Sequence, residues 1–404
     1  MRFSQFLKED ALELALPTDV RSAIIDKGGK IYQVGGAVRD EMLGKVSKDL
    51  DLLIVGIELK DLATLLTRFG KTNLVGKAFG IIKFVPDGAT EEIDISVPRI
   101  DSKSTGKGHK DFEVKLGRGI TLQQDQLRRD FWMNAMARDV ETGEIHDIDK
   151  KGQTDIKNKQ IRVIGIRAFR EDPLRMLRAV QFAARFEFTI EPKTMDQIKS
   201  SVNLIKTVSP ERFQEEFKKM FEKGTPSVGV ALLKETGILK KLFPKARDAF
   251  PMEYDRLDKK GFPAFLAVLL KGHKSKDIQS AMKLSNEDTN AVSDVLKYMA
   301  MRDVDSDLGL IRFVNSASKK GVENVNYILK AQRKIDIDYR LNSLRRVGKP
   351  TSLKELGLSG RDLIKMGIRG RAVGETLDKL LQYAVETGKN DRKDLIAVVK
   401  GQNA

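Results

Sequence analysis

The stretch IYQVGGAVRDEMLGKVSKDLDLLIVG, residues 31–56, limits what this chain can fold into more than any other segment. In an extended strand successive side chains alternate faces, so Asp49 and Asp51, separated by one leucine, point the same way. Two carboxylates converging on one spot repel unless a cation lies between them, and Mg²⁺ is the usual cation held by carboxylates beside phosphates. Upstream, Val34 ends a short apolar run and Gly35-Gly36 turns the chain. A turn without Cβ atoms lets backbone N–H groups approach a phosphate. The plainer reading of a lone Asp-x-Asp is a strand with acidic flanks; GGAVRD fixed just ahead of it weighs against that.

The balance of charge agrees with a polyanionic partner. Lys and Arg number 73 against 57 Asp and Glu, a formal net charge of +16. Such a surplus favours nucleic acid first and an anionic membrane second. The densest apolar run, AFLAVLL at 264–270, is far too short to span a bilayer, and the first residues lack a signal-peptide layout. Cysteine is absent, which excludes disulfides and thiolate zinc sites. The three histidines, His109, His146 and His273, are too scattered in sequence to suggest a metal cluster. A soluble, cytoplasmic protein with no membrane partner is expected.

The chain should be built in several pieces, since 404 residues is long for one core. Residues 1–20 read as a short helical extension closed by Pro17. From 21 to 160, KIYQVGG, LDLLIVG, FGIIKFV and EIDISV are short β-rich runs separated by helices. After Ile161 the pattern is almost wholly helical, with Gly/Pro breaks near 224–226, 261–263 and 348–350 as the expected seams. The expected fold is α+β: a small head with a mixed sheet and helices, then helical segments 161–224, 225–349 and 350–404.

Further motifs carry chemistry. EIDISV places Ile93, Ile95 and Val97 on one strand face and Glu92, Asp94 and Ser96 on the other. RIDSKSTGKGHKDF, 99–112, is basic, Gly-containing and poor in apolar residues, which by composition is a mobile loop. RRDFWMNAM at 128–136 is expected to enter a helix. There Arg128 and Arg129 can offer forked donors to phosphate oxygens, Asp130 can accept from sugar hydroxyls, and Asn134 follows one turn later. In EDPLRMLRAVQFAAR, 171–185, Asp172 reads as an N-cap and Pro173 as the first helical residue. Leu174, Leu177, Val180 and Ala184 form an apolar stripe, with Glu171, Arg175 and Arg178 on the other side. Asp and Arg together can meet both donors and acceptors on the Watson–Crick edge of a base. SPERF, 209–213, starts a helix with Ser209 as cap, and LSGRDLIKMGIRGRAVGETLDKLL sets Lys365, Arg369 and Arg371 beside glycine turns suited to an RNA backbone.

GGAVRD…KDLDLLIVG, RRDFWMNAM, EDPLRMLRAVQFAAR, SPERF and LGLSGRDLIKMGIRGRAVGETLDKLL, in that order, resemble the bacterial-type (class II) CCA-adding tRNA nucleotidyltransferase and poly(A) polymerase family. The resemblance implies a polymerase-β-like nucleotidyltransferase head followed by neck, body and an RNA-contacting tail. It implies catalysis by Asp49 and Asp51 with Mg²⁺ as cofactor, and Asp94 as a third carboxylate; an ordinary solvent-facing aspartate is the alternative there. Nucleotide binding would fall to Gly35, Gly36, Arg39, Asp40, Arg129, Asp130, Asn134, Glu171, Asp172, Arg175 and Arg178. In this family the Asp and Arg of the helix act as a protein template for C or A, and the Glu orients the Arg. A flexible loop at 99–112 resembles enzymes that incorporate the terminal A. Trp132 stands where relatives usually have a small hydroxyl residue, and Gln181 where they commonly have Arg. The His-Asp ligands of an appended phosphohydrolase are missing from the sequence. The implied reaction is addition of C, C and A from CTP and ATP to the tRNA 3′ end with release of pyrophosphate. Poly(A) synthesis within the same superfamily, or a non-catalytic RNA-binding protein on this scaffold, are the alternatives.

Overall fold

The computed structural model describes residues 16–45, 50–75, 80–101, 114–246 and 254–401. They form two compact units, residues 1–208 and 209–404. The division falls between Val208 and Ser209, and the glycine and proline breaks near 224–226, 261–263 and 348–350 lie within the second unit.

The first unit is organised by a seven-stranded sheet. Its elements begin with α1 (Thr18–Asp26), β1 (Lys30–Val34), α2 (Gly36–Met42), β2 (Asp51–Val55), α3 (Leu59–Leu66), β3 (Gly70–Val75), β4 (Ile81–Pro86) and β5 (Ile93–Ser96). Pro17 precedes α1 and its carbonyl accepts the Arg21 N–H at 3.0 Å, while residues 1–15 of the expected extension lie outside the described residues. Next come β6 (Arg99–Asp101) and β7 (Val114–Leu116), α4 (Leu122–Leu127), a 3₁₀ turn over Trp132–Asn134, β8 (Ala137–Asp139), β9 (Ile145–His146) and α5 (Lys151–Lys157). The sheet order is β3-β4-β5-β2-β1-β8-β9. Only β2 and β5 run parallel; the other pairs are antiparallel. All four expected β-rich runs contribute strands to this sheet. One face buries Ile31, Leu52, Ile54, Ile82, Phe84, Ile93 and Ile95 against Val20 and Ile24 of α1 and Leu62, Leu65 and Leu66 of α3. Large aliphatic side chains fully removed from water contribute about 1.5–3 kcal/mol each. That anchors the register, since a one-residue slip would bring Asp51 and Asp94 into this core.

The expected loop at 99–112 is corrected at its near end. Arg99–Asp101 pairs antiparallel with Val114–Leu116, forming a ribbon, and 102–113 lie outside the described residues. The unit then closes with β10 (Gln160–Ile161), α6 (Ala168–Glu171), α7 (Leu174–Phe186), β11 (Thr189–Ile190) and α8 (Pro192–Ser201).

The second unit is helical among its described residues: α9 (Pro210–Lys223), α10 (Pro226–Glu235), α11 (Ile238–Leu242), α12 (Phe262–Leu269), α13 (Ser275–Met282), α14 (Asn286–Ala300), α15 (Asp307–Ser316), α16 (Lys319–Ala331), α17 (Ile337–Arg346), α18 (Gly360–Lys365), α19 (Arg371–Thr387) and α20 (Arg392–Val399). Ser209 sits at the start of α9 as expected, but its side chain makes no capping hydrogen bond. Phe221 of α9 stacks on Phe265 of α12, ring centroids 4.8 Å apart. The last helices are tied in by Arg312 of α15, whose Nε donates to Asp378 of α19 at 3.1 Å. Among the described residues no helix is long and apolar enough to cross a membrane.

Candidate active site

The face of the sheet opposite the aliphatic core carries Asp51 at the start of β2. Parallel pairing of β2 with β5 sets Asp51 in register with Asp94, so two carboxylates stand side by side on adjacent strands. Neighbouring strands lie about 4.8 Å apart, which brings both within reach of one bound cation. Asp94 already has a counter-ion, with Lys83 Nζ 3.4 Å from its Oδ1 and 2.5 Å from Glu92. Those pairings, Glu92 first, raise the Lys83 pKa. Asp49 lies outside the described residues. Among the described residues no group of three His, Cys, Asp or Glu side chains could hold a metal ion. The oxygen donors of Asp51 and Asp94 are nevertheless those Mg²⁺ prefers.

The two glycines of GGAVRD do different work. Gly35 has φ +74°, where side chains are strained, and a Cβ built on it would stand 3.5 Å from Arg129 Nη1 and 3.8 Å from Asp51 Oδ2. Gly35, Asp51 and Arg129 therefore meet at one spot. At Gly36 an added Cβ would come within 3.2 Å of Arg39 Nη2, so this glycine makes room for an arginine folded back from the next turn of α2.

RRD does not enter a helix. Helix α4 begins with a capping box in which the Thr121 and Gln124 side chains each accept the other residue's backbone N–H, and it stops at Leu127. Asp130 then turns the chain, its Oδ1 accepting the Phe131 N–H at 2.8 Å, a local bond that competes with helix continuation. Ahead of it Asp125, fully buried, binds both arginines: Arg128 Nη2 at 2.7 Å and Arg129 Nη2 at 3.0 Å. Burial works to raise the Asp125 pKa, but Arg129 and Arg128 prevail and hold it below the usual carboxylate value. Burial lowers Arg128 to about 10 against the pull of Asp125. Asp125 was missed in the sequence; its signal is an acid three and four residues before two arginines, which on a helix reads as a surface pair.

EDPLRMLRAVQFAAR forms a helix, α7, as expected. Asp172 separates α6 from α7, and its carboxylate accepts the Leu174 N–H at 3.1 Å, so it caps α7 with Pro173 at the first turn. Leu174, Leu177, Val180 and Ala184 are buried. Arg175 donates from Nη2 to the Arg128 carbonyl at 2.6 Å, and its Nη1 lies 3.5 Å from Glu171. The start of α7 is thereby fixed against the RRD turn. Arg178 pairs with Asp130 at 2.7 Å, and Asp130 also accepts from Asn134 Nδ2 at 3.0 Å. Burial works to raise the Asp130 pKa, yet Arg178, Asn134 and the Phe131 N–H keep it below the ordinary value.

Arg39 and Asp40, expected beside nucleotide, are buried, as are Asp130, Asn134 and Arg175. Arg39 donates from Nη1 to Asn134 Oδ1 and from Nε to Asp40 Oδ1, at 2.6 and 2.8 Å. Trp132 is buried with Ala135 and Ile164, the Lys151 ammonium 4.5 Å from its ring centroid. Gln181 is buried and its Nε2 has no hydrogen-bond partner among the described residues.

A mixed sheet with an acid-bearing glycine turn, followed by helices, is the architecture of a nucleotidyltransferase head. Residues 31–162 match the poly A polymerase head domain, and 187–250 match the probable RNA- and SrmB-binding site of polymerase A. The multifunctional CCA protein of Nitrosomonas europaea is 39% identical over 223 residues, 55% of this chain and 51% of that protein. The chain thus spans about half the length of the curated relatives it matches. The structure of the Bacillus stearothermophilus CCA-adding enzyme in complex with CTP is similar over 98% of both chains, with a TM-score of 0.73 and 25% identity. The fold is also that of the Thermotoga maritima CCA-adding enzyme complexed with tRNA, over 96% of both chains at a TM-score of 0.66 and 22% identity. Residues 31–162 and 187–250 are thus similar to domains of poly(A) polymerases, and the fold is that of CCA-adding enzymes.

Proposed function

We propose that this protein is a template-independent CCA-adding tRNA nucleotidyltransferase, transferring C, C and A from CTP and ATP to a tRNA 3′ end. The observation that carries the reading is the convergence of Gly35, Asp51 and Arg129 within the unit where Arg175 is fixed against the neighbouring Arg128 carbonyl. Groups suited to a triphosphate and groups suited to a base edge then belong to one site.

Asp51 and Asp49, with Asp94 beside them, would hold Mg²⁺, which when bound would activate the RNA 3′ hydroxyl and neutralise the leaving pyrophosphate. Arg129 offers its fork to phosphate oxygens, and the Gly35-Gly36 turn gives them close approach. Asp130 lies where a ribose hydroxyl could exchange for one of its present partners. Asp172 and Arg175 present an acceptor and a donor to the base, with Glu171 and Arg178 steadying that edge. Positioning carries the catalysis, as is general for phosphoryl transfer. In this proposal 21–160 act as head, 161–224 as neck, 225–349 as body and 350–404 as the RNA-contacting tail. A chain without cysteine suits the cytoplasm, where its RNA substrate would be.

The test is incubation with tRNA lacking its CCA end and each nucleotide separately. CTP should add two residues, and CTP with ATP three; UTP and GTP should add none. A long homopolymer from ATP alone would move the assignment to poly(A) synthesis. No incorporation at all would favour a non-catalytic RNA-binding protein.

A further inference from the structure

The second unit holds a cavity of about 200 Å³ to which the nucleotide chemistry assigns no role. Its wall is apolar, with Tyr254, Val268, Tyr298, Met299, Ile328 and Leu329 among its residues. Both tyrosine rings are braced from behind. Tyr254 meets Phe265 edge-on, centroids 5.4 Å apart, and Tyr298 meets Phe313 at 5.1 Å. Lys334 and Asp305 are exposed, and Lys271, Met301 and Val304 are half-buried, so these residues form the mouth. The segment after α14 that carries Val304 and Asp305 is held by Arg340 of α17, which donates to their two carbonyls at 3.2 and 2.8 Å. Neither Lys271 nor Lys334 is ion-paired among the described residues, so the mouth sets two uncompensated cations against one carboxylate.

We propose that this cavity captures one unpaired base of the RNA, its ring against Tyr298, Met299 and Met301 and its phosphodiester on Lys271 and Lys334. This rests on the RNA substrate of the proposed function. Size selects the ring. A cavity of about 150 Å³ admits benzene, so 200 Å³ admits one heteroaromatic base and leaves its sugar outside. Charge selects what the ring is attached to, since two lysines at the mouth favour a phosphate backbone. Aromatic rings and thioethers accept any base, because every base has a π face. Asp305, an acceptor only, favours a base with an exocyclic amino group, so A, C or G over U. Strength selects the source. One stacked base strengthens binding about fivefold to a hundredfold, and that alone would leave a free nucleotide weaker than millimolar. The base must therefore belong to a polyanion held elsewhere as well, which suits a chain with 73 Lys and Arg against 57 Asp and Glu.

The experiment footprints tRNA lacking its CCA end with base-modifying reagents and measures its affinity by gel shift. The proteins are wild type, Val304→Trp and Ala331→Met, which fill the cavity from its mouth and from its wall, and the double variant Lys271→Ala with Lys334→Ala. CTP affinity and thermal midpoints are measured alongside. Wild type should protect one unpaired A, C or G that becomes reactive in Val304→Trp, with tRNA affinity down about fivefold to a hundredfold and CTP affinity unchanged. Ala331→Met should act in the same direction. The lysine pair should weaken tRNA binding and flatten its salt slope by about two. If Val304→Trp lowers the midpoint, Ala331→Met decides, and protection retained there at an unchanged midpoint overturns the proposal. Adenosine monophosphate bound more tightly than about 1 mM by wild type, and not by Val304→Trp, overturns it in favour of a small-molecule site. A wild type that binds no tRNA defeats the proposed function, and this inference with it. A wild type that binds tRNA with the same footprint and affinity as both filled variants defeats the inference alone.

Discussion

Replacing Asp125 should expose how much of this site is held from beneath. Its carboxylate is fully buried and accepts from Arg128 Nε at 2.8 Å, from Arg129 Nε and Nη2 at 3.2 and 3.0 Å, and from the Arg99 N–H at 3.3 Å. Removing one partner of a buried ion pair costs about 3–5 kcal/mol because the remaining charge is left without compensation. The two arginines keep 20% and 17% of their side-chain exposure, so water recovers part of that, and the lower end, about 3 kcal/mol, applies. For a unit of some 208 residues, about 2–4 °C per kcal/mol gives a fall of about 6–12 °C in its unfolding midpoint for Asp125→Ala. Asp125→Asn should fare little better, since its amide presents donors to donors. The pH dependence follows in sign from the depressed carboxylate. Its stabilisation is complete above the unfolded value of 3.8 and is lost only as pH falls through the lower folded one. Scanning calorimetry of wild type and Asp125→Ala from pH 8 to pH 4 should therefore show a constant gap that closes only in stronger acid. A gap under about 2 °C, or one that closes between pH 8 and 6, would refute the reasoning.

Further expectations follow from the same geometry. Asp51→Asn should lower CTP and ATP incorporation by roughly 10³-fold while tRNA binding changes little, checked by gel shift beside turnover; undiminished turnover removes Asp51 from the centre. Arg175→Ala or Asp172→Ala should cut the ratio of CTP to UTP incorporation about tenfold or more, each deleting half of a base contact worth roughly 1–3 kcal/mol; a slower enzyme with its ratio intact makes α7 structural. Lys365 and Arg369 are exposed beside the turn between α18 and α19, so Lys365→Glu with Arg369→Glu should weaken tRNA binding and flatten its salt slope by about one for each lost phosphate contact, with CTP affinity unaltered. Asp155, whose burial against the opposing pull of Arg162 raises it to about 6, stabilises only when protonated; stability should fall by up to about 3 kcal/mol as pH rises from 4 to 7, and Asp155→Asn should remove that dependence.

What the sequence disclosed was periodic or local. Strands β1, β2, β4 and β5 follow from short β-rich runs, and the start of α7 follows from Asp172-Pro173, whose capping needs no distant partner. What it could not disclose was pairing across distance. Asp51 and Asp94 are register partners because β5 joins β2 in parallel, a fact held in the sheet order rather than in either strand. Arg39 was legible as a charged residue after a glycine pair; its burial against Phe182 and Phe186, far along the chain, was not. The turn at RRD was misread for the opposite reason. Its helical spacing is real, since Asn134 does reach Asp130, but Asp130 spends one oxygen on its neighbour's N–H and ends the regular backbone. The seam before Pro210 carries no stronger break than several inside the helical unit.

Selecting a base with side chains requires that those side chains cannot turn. In the proposed function, discrimination of a few kcal/mol would disappear if Arg175 rotated away from the base, and a helix resists rotation only through what it buries. On α7, Leu177, Val180 and Ala184 are fully removed from water on one side, while Arg178, Phe182 and Arg185 engage the head on the other. A rotation by one residue, about 100°, would bring Arg178 toward the aliphatic core and Val180 toward the ion pairs, at a cost well above what a wrong base could supply. Rigidity of the template is then a property of core packing, and substitutions at Val180 or Phe182 should loosen base choice before they abolish transfer.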